Sequence, residues 1–273
     1  SGTPADVGHW YLSDNFDVPK KYLIPGGTSI PPGGYLAIYA SAFNPTNLPL
    51  STNRFALRAE GDDVYIFSAN AGGDLTGYYH GLNFGAAEAG VSFGRYVTSV
   101  GEEHAVAQAA LTLGTNNAGP KIGPLVISEV MYHPPDYAGG IDNSEDEFIE
   151  LHNITATEVK LYDEAHPTNT WRLRDAVDFE FPVNTVIPAH GFLLVVNFDP
   201  AMEPSQLAAF RAKYNIDPSV LIRGPYGGKL DNGGETLELF RTDTPPAPPN
   251  PDAGYVPDIL VDRVAYADAA PWP

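Results

Sequence analysis

The most constraining feature of this sequence is a short module that occurs twice in the same order. A Trp-x-Leu-x-Asp triplet is followed each time by a proline-glycine turn with an apolar run, and later by an alternating stretch with glycine at its second position. These elements lie at 10–14, 30–36 and 60–67 in the first copy and at 171–175, 187–193 and 233–240 in the second. Ordered self-similarity predicts a tandem array of one small unit. Such arrays more often form scaffolds or binding surfaces than catalysts.

The length and charge of the chain limit its organisation and its partners. The 273 residues suffice for two domains, which we predict at 1–119 and 120–273, joined near 118–124. Acidic residues number 34 and basic residues 15, so the formal net charge is -19. An anionic surface repels phosphate backbones and anionic lipid headgroups. We therefore expect no nucleic acid partner and no membrane insertion.

The pattern of apolar residues predicts an all-β fold. Glycine (27) and proline (26) are frequent and separate short apolar stretches, which is typical of many short strands joined by turns. The continuous apolar run 193–196 predicts a strand that is buried on both sides. Alternating stretches predict half-buried antiparallel strands at 35–39, 64–67, 126–130, 148–152 and 237–240. We predict two tandem immunoglobulin-like sandwiches from their spacing.

One segment of the second copy has helical periodicity instead. Leu207, Phe210 and Tyr214 are spaced by three and four residues, so they share one face of a helix. Ser205 is of the residue type that caps a helix N-terminus. We predict one short helix here, in an insertion between two strands, and expect it to cover an edge of the second sandwich.

Several motifs in one order resemble the bacterial lamin-tail domain. They are Val-Ile-Ser-Glu-Val-Met-Tyr-His-Pro at 126–134, Glu-Phe-Ile-Glu-Leu-His-Asn at 147–153, and the Trp-x-Leu-x-Asp and Ile-Pro-x-x-Gly elements of the module. The stretch 112–120 resembles the Thr-Pro-Gly-x-x-Asn end of such units, with Leu113 where proline is common. The resemblance covers nearly the whole chain as two tandem copies. It implies an immunoglobulin-type sandwich that is appended to many exported proteins and has no shared catalytic residue.

Neither copy of the module is complete. The second copy opens with the strand pair 126–130 and 148–152, for which the first copy has no counterpart before Trp10. The first copy closes with 91–96, and the second copy has no equivalent of this stretch. One interpretation is that the termini are fragment ends. The other is that a second chain or a flanking segment donates the missing strands, because unpaired strand edges favour strand addition.

An acidic loop before the strand at 148–152 is the candidate metal site. Asp142, Glu145 and Asp146 supply hard oxygen ligands of the type that calcium prefers. The loop is not an EF-hand, since Asn153 stands at the twelfth position, where an EF-hand has a bidentate glutamate. The alternative interpretation is a solvated acidic connection between strands. Calcium is accordingly the one cofactor that the sequence suggests.

The sequence predicts no catalytic residue. It contains no cysteine, which excludes thiolate metal sites and a thiol nucleophile. Its seven histidines do not have the spacing of a metal-binding set, and no His-Glu-x-x-His motif occurs. Paired carboxylates are expected in any acidic chain and nominate no glycosidase by themselves. We therefore expect a protein that is not an enzyme.

The function that the sequence favours is structural. We expect a non-catalytic module of an exported bacterial multidomain surface protein or extracellular fibre, which acts through sandwich packing and strand complementation between chains. Its expected partners are proteins, either copies of itself or flanking domains, and its expected location is extracellular or at the cell surface. The alternative is a carbohydrate- or calcium-binding accessory module of an extracellular hydrolase.

Overall fold

The chain folds into short β-strands with little helix. The computed structural model describes residues 2–45, 54–249 and 252–270. Strands dominate these residues, and the predicted all-β class is confirmed. Contacts divide the chain into two compact units, Ser1–Lys121 and Ile122–Pro273.

The first unit contains one four-stranded antiparallel sheet. Its described elements are β1 (Ala5–Asp6), β2 (Tyr11–Ser13), β3 (Tyr22–Leu23), β4 (Ser29–Ile30), α1 (Ala40–Phe43), β5 (Gly61–Ala69), β6 (Leu75–Gly85), β7 (Phe93–Val97) and β8 (Glu103–Ala107). The order in the sheet is β3-β2-β5-β6, and β1 with β4 and β7 with β8 form separate antiparallel pairs. The single helical turn α1 was not predicted from the sequence.

The second unit contains two four-stranded sheets. Its described elements are β9 (Leu125–Met131), a 3-10 turn (Ser144–Asp146), β10 (Phe148–Asn153), β11 (Val159–Lys160), β12 (Arg172–Asp175), β13 (Phe179–Glu180), β14 (Val186–Ile187), β15 (Phe192–Val196), α2 (Pro204–Tyr214), β16 (Leu221–Arg223), β17 (Thr236–Thr242) and β18 (Asp258–Ala265). One sheet has the order β16-β15-β10-β9 and the other β13-β12-β17-β18, while β11 pairs with β14.

The two sheets of the second unit form a sandwich around one core. Leu151 and Leu193 from the first sheet and Leu173 and Leu239 from the second belong to the same buried cluster, and each is 0% exposed. Burial of such side chains is the main favourable contribution to folding. The predicted two-sided burial of β15 is confirmed, because Leu193 packs in this core whereas Leu194 packs in a second cluster on the outer face.

Helix α2 covers the outer face of this sheet rather than an edge, so the predicted position was wrong. Phe210 is buried against β10 and β15, with Leu207 and Tyr214 beside it, which confirms the predicted apolar face. The reason for the helix is topological: β15 and β16 run parallel, and parallel neighbours require a crossover connection. The predicted cap Ser205 was also wrong, because the helix begins at Pro204, a residue suited to the first helical position.

Each unit contains its own four-stranded sheet with the same strand order and the same register. The order β3-β2-β5-β6 of the first unit matches β13-β12-β17-β18 of the second, and all these strands pair antiparallel. Leu12 lies opposite Ile66, and its match Leu173 lies opposite Leu239. The described part of the first unit contains no counterpart of the sheet β16-β15-β10-β9. It therefore has only one of the two four-stranded layers.

Candidate functional site

Among the described residues, the core face of the first unit is less buried than that of the second. In the second unit, six matched core side chains are at most 6% exposed: Trp171, Leu173, Leu193, Val195, Leu237 and Leu239. Their counterparts in the first unit are all partly or fully exposed, and we call them the open face: Trp10, Leu12, Leu36, Ile38, Val64 and Ile66. The same positions that form a dry core in one unit thus contact solvent in the other.

The segment 35–39 contains Leu36 and Ile38 of the open face. It was predicted as a strand, and this prediction was wrong: the segment matches β15 but pairs with no strand among the described residues. The physical reason is that β15 is held between β10 and β16, and the described first unit supplies no such neighbours. Tyr35, Leu36 and Tyr39 are 51%, 39% and 64% exposed. The alternating pattern alone does not form a strand without a pairing partner.

The opposite face of the same sheet carries an aromatic cluster. Phe16 contacts Tyr79 edge-on, with ring centroids 4.9 Å apart and planes at 73°, and it contacts Tyr65 and Phe67 at 5.7 and 5.8 Å. Tilted and edge-to-face arrangements are the preferred packing of aromatic pairs. These four rings therefore pack against one another, while Phe16 and Tyr79 stay 47% and 53% exposed.

The predicted calcium ligands are near one another in sequence, but each carboxylate already has a protein partner. Asp142 accepts hydrogen bonds from Lys229 at 2.9 Å and from Asn232 at 3.0 Å. The bond from Lys229 holds the pKa of Asp142 below its usual value.

The other two predicted ligands accept hydrogen bonds from separate partners. Glu145 accepts a hydrogen bond from the Tyr137 hydroxyl at 3.0 Å, and Asp146 accepts one from Lys213 at 2.6 Å. Burial and the Glu145 carboxylate together raise the pKa of Tyr137 to about 12. In the described ranges, no group of three or more His, Cys, Asp or Glu residues is placed to hold a metal ion.

A neighbouring glutamate that was not among the predicted ligands is fully buried. Glu147 is 0% exposed, and its Oε2 accepts hydrogen bonds from the Tyr226 hydroxyl at 2.7 Å and from the Leu230 amide at 3.1 Å. Burial raises the pKa of Glu147, although these two hydrogen bonds oppose the shift. Its position directly before β10 suggested a solvated loop, and nothing in the local pattern indicated burial.

The segments 142–147 and 226–232 are joined by the contacts of Asp142 and Glu147, and we call this region the loop junction. Asp142 binds Lys229 and Asn232, and Glu147 binds Tyr226 and the Leu230 backbone. Hydrogen bonds to an ionised partner are stronger than neutral ones. The junction therefore fixes the loop before β10 to the chain that leads into β17.

A Gly-x-Ser-x-Gly pattern at 90–94 does not form a nucleophile elbow. In hydrolases, this pattern places a serine on a sharp turn between a strand and a helix. Here Ser92 leads into β7, and its carbonyl oxygen accepts a hydrogen bond from the Gln108 amide at 2.8 Å. Strand β7 then pairs with β8, so the strand-to-helix context of a catalytic serine is missing at this position.

Comparisons with known proteins identify no family for the chain. Neither the protein-family models nor the curated proteins contain a match. A solved structure that is similar in part is a DUF4876 family protein from Bacteroides thetaiotaomicron, at 12% identity and a TM-score of 0.33. The similarity covers 79% of this chain and 67% of that chain. No helix among the described residues is both long and apolar enough to cross a membrane.

Proposed function

We propose that this chain is a non-catalytic structural module of an exported bacterial protein. It consists of two tandem lamin-tail-like units of immunoglobulin type, and it acts by assembling with other protein segments in a surface protein or an extracellular fibre. The observation that carries this proposal is the open face of the first unit. Its apolar side chains are half-buried, and Leu36 is 39% exposed, whereas their matches in the second unit lie in a dry core. Apolar surface that is left exposed together marks interaction sites.

Strand addition is the mode of assembly that fits the open face. In the second unit, β10 lies antiparallel to β15 with Leu151 opposite Leu193. The match of Leu193 is Leu36, on the unpaired segment 35–39. An incoming strand therefore needs one apolar residue opposite Leu36 and a second opposite Ile38. Backbone hydrogen bonds provide affinity in this mode, and alternate side chains provide specificity.

Sedimentation of the full chain over a range of concentrations tests this assembly. We expect association that strengthens with concentration and that Leu36→Asp weakens at least tenfold, because a charge on the core face opposes burial. Val100→Asp is the matched control, since Val100 is 67% exposed in a turn outside the open face. A wild-type chain that remains monomeric at every concentration would contradict assembly between chains.

A peptide of residues 124–154 tests strand addition separately from self-association. It contains β9 and β10, and we expect it to slow hydrogen exchange at the amides of 35–39. The same peptide with Leu151→Asp should give no protection. Protection without self-association would assign the strand pair to a flanking segment or another partner, whereas no protection by either peptide would overturn strand complementation.

A further inference from the structure

Three buried oxygen atoms at the loop junction receive no hydrogen bond from the protein. They are Glu147 Oε1, Asn143 Oδ1 and Asn232 Oδ1. Glu147 and Asn143 are among the most buried polar residues of the second unit, at 0% and 2% exposed. Buried acceptors are nearly always satisfied by a protein donor, a water molecule or an ion. Three such oxygens in one pair of contacting loops therefore lack the donor or cation that buried acceptors normally have.

The orientation of both amides follows from their donors. Asn143 Nδ2 donates to the Pro135 carbonyl oxygen at 3.0 Å and to Asp146 Oδ2 at 2.6 Å. Asn232 Nδ2 donates to Asp142 Oδ1 at 3.0 Å. Exchanging oxygen and nitrogen in either amide would place an oxygen against a carboxylate oxygen, which is repulsive. The unpaired atoms are therefore oxygens, and they call for a donor or a cation.

We propose that the loop junction binds a calcium ion through Glu147 Oε1, Asn143 Oδ1 and Asn232 Oδ1. Calcium takes carboxylate and amide oxygens in flexible geometry and completes its shell with water. A cation at this position also compensates the buried charge of Glu147, which is otherwise costly. The proposal is independent of the assembly function. Its ligands differ from the sequence-predicted set of Asp142, Glu145 and Asp146, whose carboxylates bind protein donors.

Calorimetric titration of the chelator-treated full chain with calcium chloride tests the site. We expect one saturable site with a Kd of about 10⁻⁴ to 10⁻³ M, the range of extracellular calcium modules. At a hundredfold excess over Kd, the unfolding midpoint of the second unit should rise by about 5 °C or more. Terbium should bind the same site and luminesce on excitation of tyrosine, because Tyr226 contacts Glu147.

Two glutamine variants of the same loop give the matched comparison. Glu147→Gln keeps an acceptor for Leu230 but removes the charged ligand, so both the calcium-dependent midpoint shift and the terbium signal should disappear. Glu145→Gln removes the same charge from an exposed side chain that lies outside the proposed site, and should respond like the wild type.

A third variant keeps the test decisive if Glu147→Gln does not fold. Asn232→Ala removes one amide ligand at a half-buried position and should weaken calcium binding about tenfold with the fold retained. A wild-type chain whose midpoint is unchanged by calcium would overturn the proposal, and water or a proton on Glu147 would then satisfy the oxygens. Calcium binding that is equal in the wild type and Glu147→Gln would overturn it as well.

Discussion

The two units have the same sheet in the same register, yet they bury very different amounts of apolar surface. Among the described residues, seven apolar side chains are buried in the first unit and 26 in the second. The difference lies in the second layer, which the second unit builds from β9, β10, β15 and β16. Strand order and register thus depend on local turns and pairing, whereas a dry core depends on a second layer from elsewhere in the chain or from another chain.

Of all predicted effects, the stability lost on truncating the matched leucines should differ most between the two units. Leu173 is 0% exposed in the shared core, so Leu173→Ala should destabilise the second unit by about 2–5 kcal/mol. Leu12 is only partly buried on the open face, so Leu12→Ala should cost the first unit less than about 1 kcal/mol. Hydrogen exchange resolved by mass spectrometry gives the opening free energy of each unit separately.

Equal losses of stability from Leu12→Ala and Leu173→Ala would contradict the exposure of the open face. Such a result would mean that Leu12 is covered in solution, by self-association or by another part of the chain. Repeating the exchange measurement on dilute protein separates these causes, because only self-association depends on concentration.

Substitution of a matched pair of glycines should instead lower the stability of both units by equal amounts. Gly61 is the first residue of β5 and its match Gly234 lies two residues before β17, and they have φ of 108° and 117°. A Cβ at either would lie 2.5 Å from a backbone oxygen, that of Phe84 or of Tyr266. Gly61→Ala and Gly234→Ala should therefore each cost about 1–3 kcal/mol, because the backbone is strained and cannot yield.

Gly85→Ala is the control for this pair, since an added Cβ there meets no atom within 4 Å. Its cost in exchange-derived stability should stay within about 0.5 kcal/mol. A much smaller cost for Gly61→Ala than for Gly234→Ala would show that the repeat of local geometry ends at the sheet and does not extend to this turn.

The sequence predicted those elements whose pattern is set by burial on one or two faces. The continuous run at 193–196 specified β15, and alternation located β9, β10 and β17. The spacing of Leu207, Phe210 and Tyr214 specified the buried face of α2. These predictions held because the partner surfaces are present in the same unit.

The sequence failed where the outcome depends on a neighbour that is distant in the chain. Segment 35–39 alternates as its match in the second unit does, but pairing partners and not the pattern decide whether a strand forms. Glu147 precedes a strand like many solvated acidic residues, but it is buried and bonded to Tyr226 and Leu230, which are distant in the chain. The sequence-predicted calcium ligands Asp142, Glu145 and Asp146 lie in the same loop as Asn143 and Glu147 of the site that we propose.

The smallest predicted effects concern the pH dependence of stability. One carboxyl group in each unit should change it, in opposite directions. Burial raises the pKa of Glu147 in the second unit, while the hydrogen bond from Arg95 lowers the pKa of Glu103 in the first. A group with a raised folded-state pKa stabilises the fold below its unfolded pKa, and this contribution is lost as the pH rises through the folded value. A group with a lowered pKa contributes above its unfolded pKa, and its contribution is lost as the pH falls.

With calcium chelated, the second unit should therefore lose stability relative to its Glu147→Gln variant as the pH rises from the acid range toward neutrality. The first unit should lose a little stability relative to Glu103→Gln on acidification, and only at low ionic strength, because the Glu103–Arg95 pair is exposed and screened by salt. Hydrogen exchange corrected for intrinsic rates at each pH measures both slopes in the same sample. If the relative stability of both units changed with pH in the same direction, Glu147 would be hydrated, since hydration removes the burial that raises its pKa.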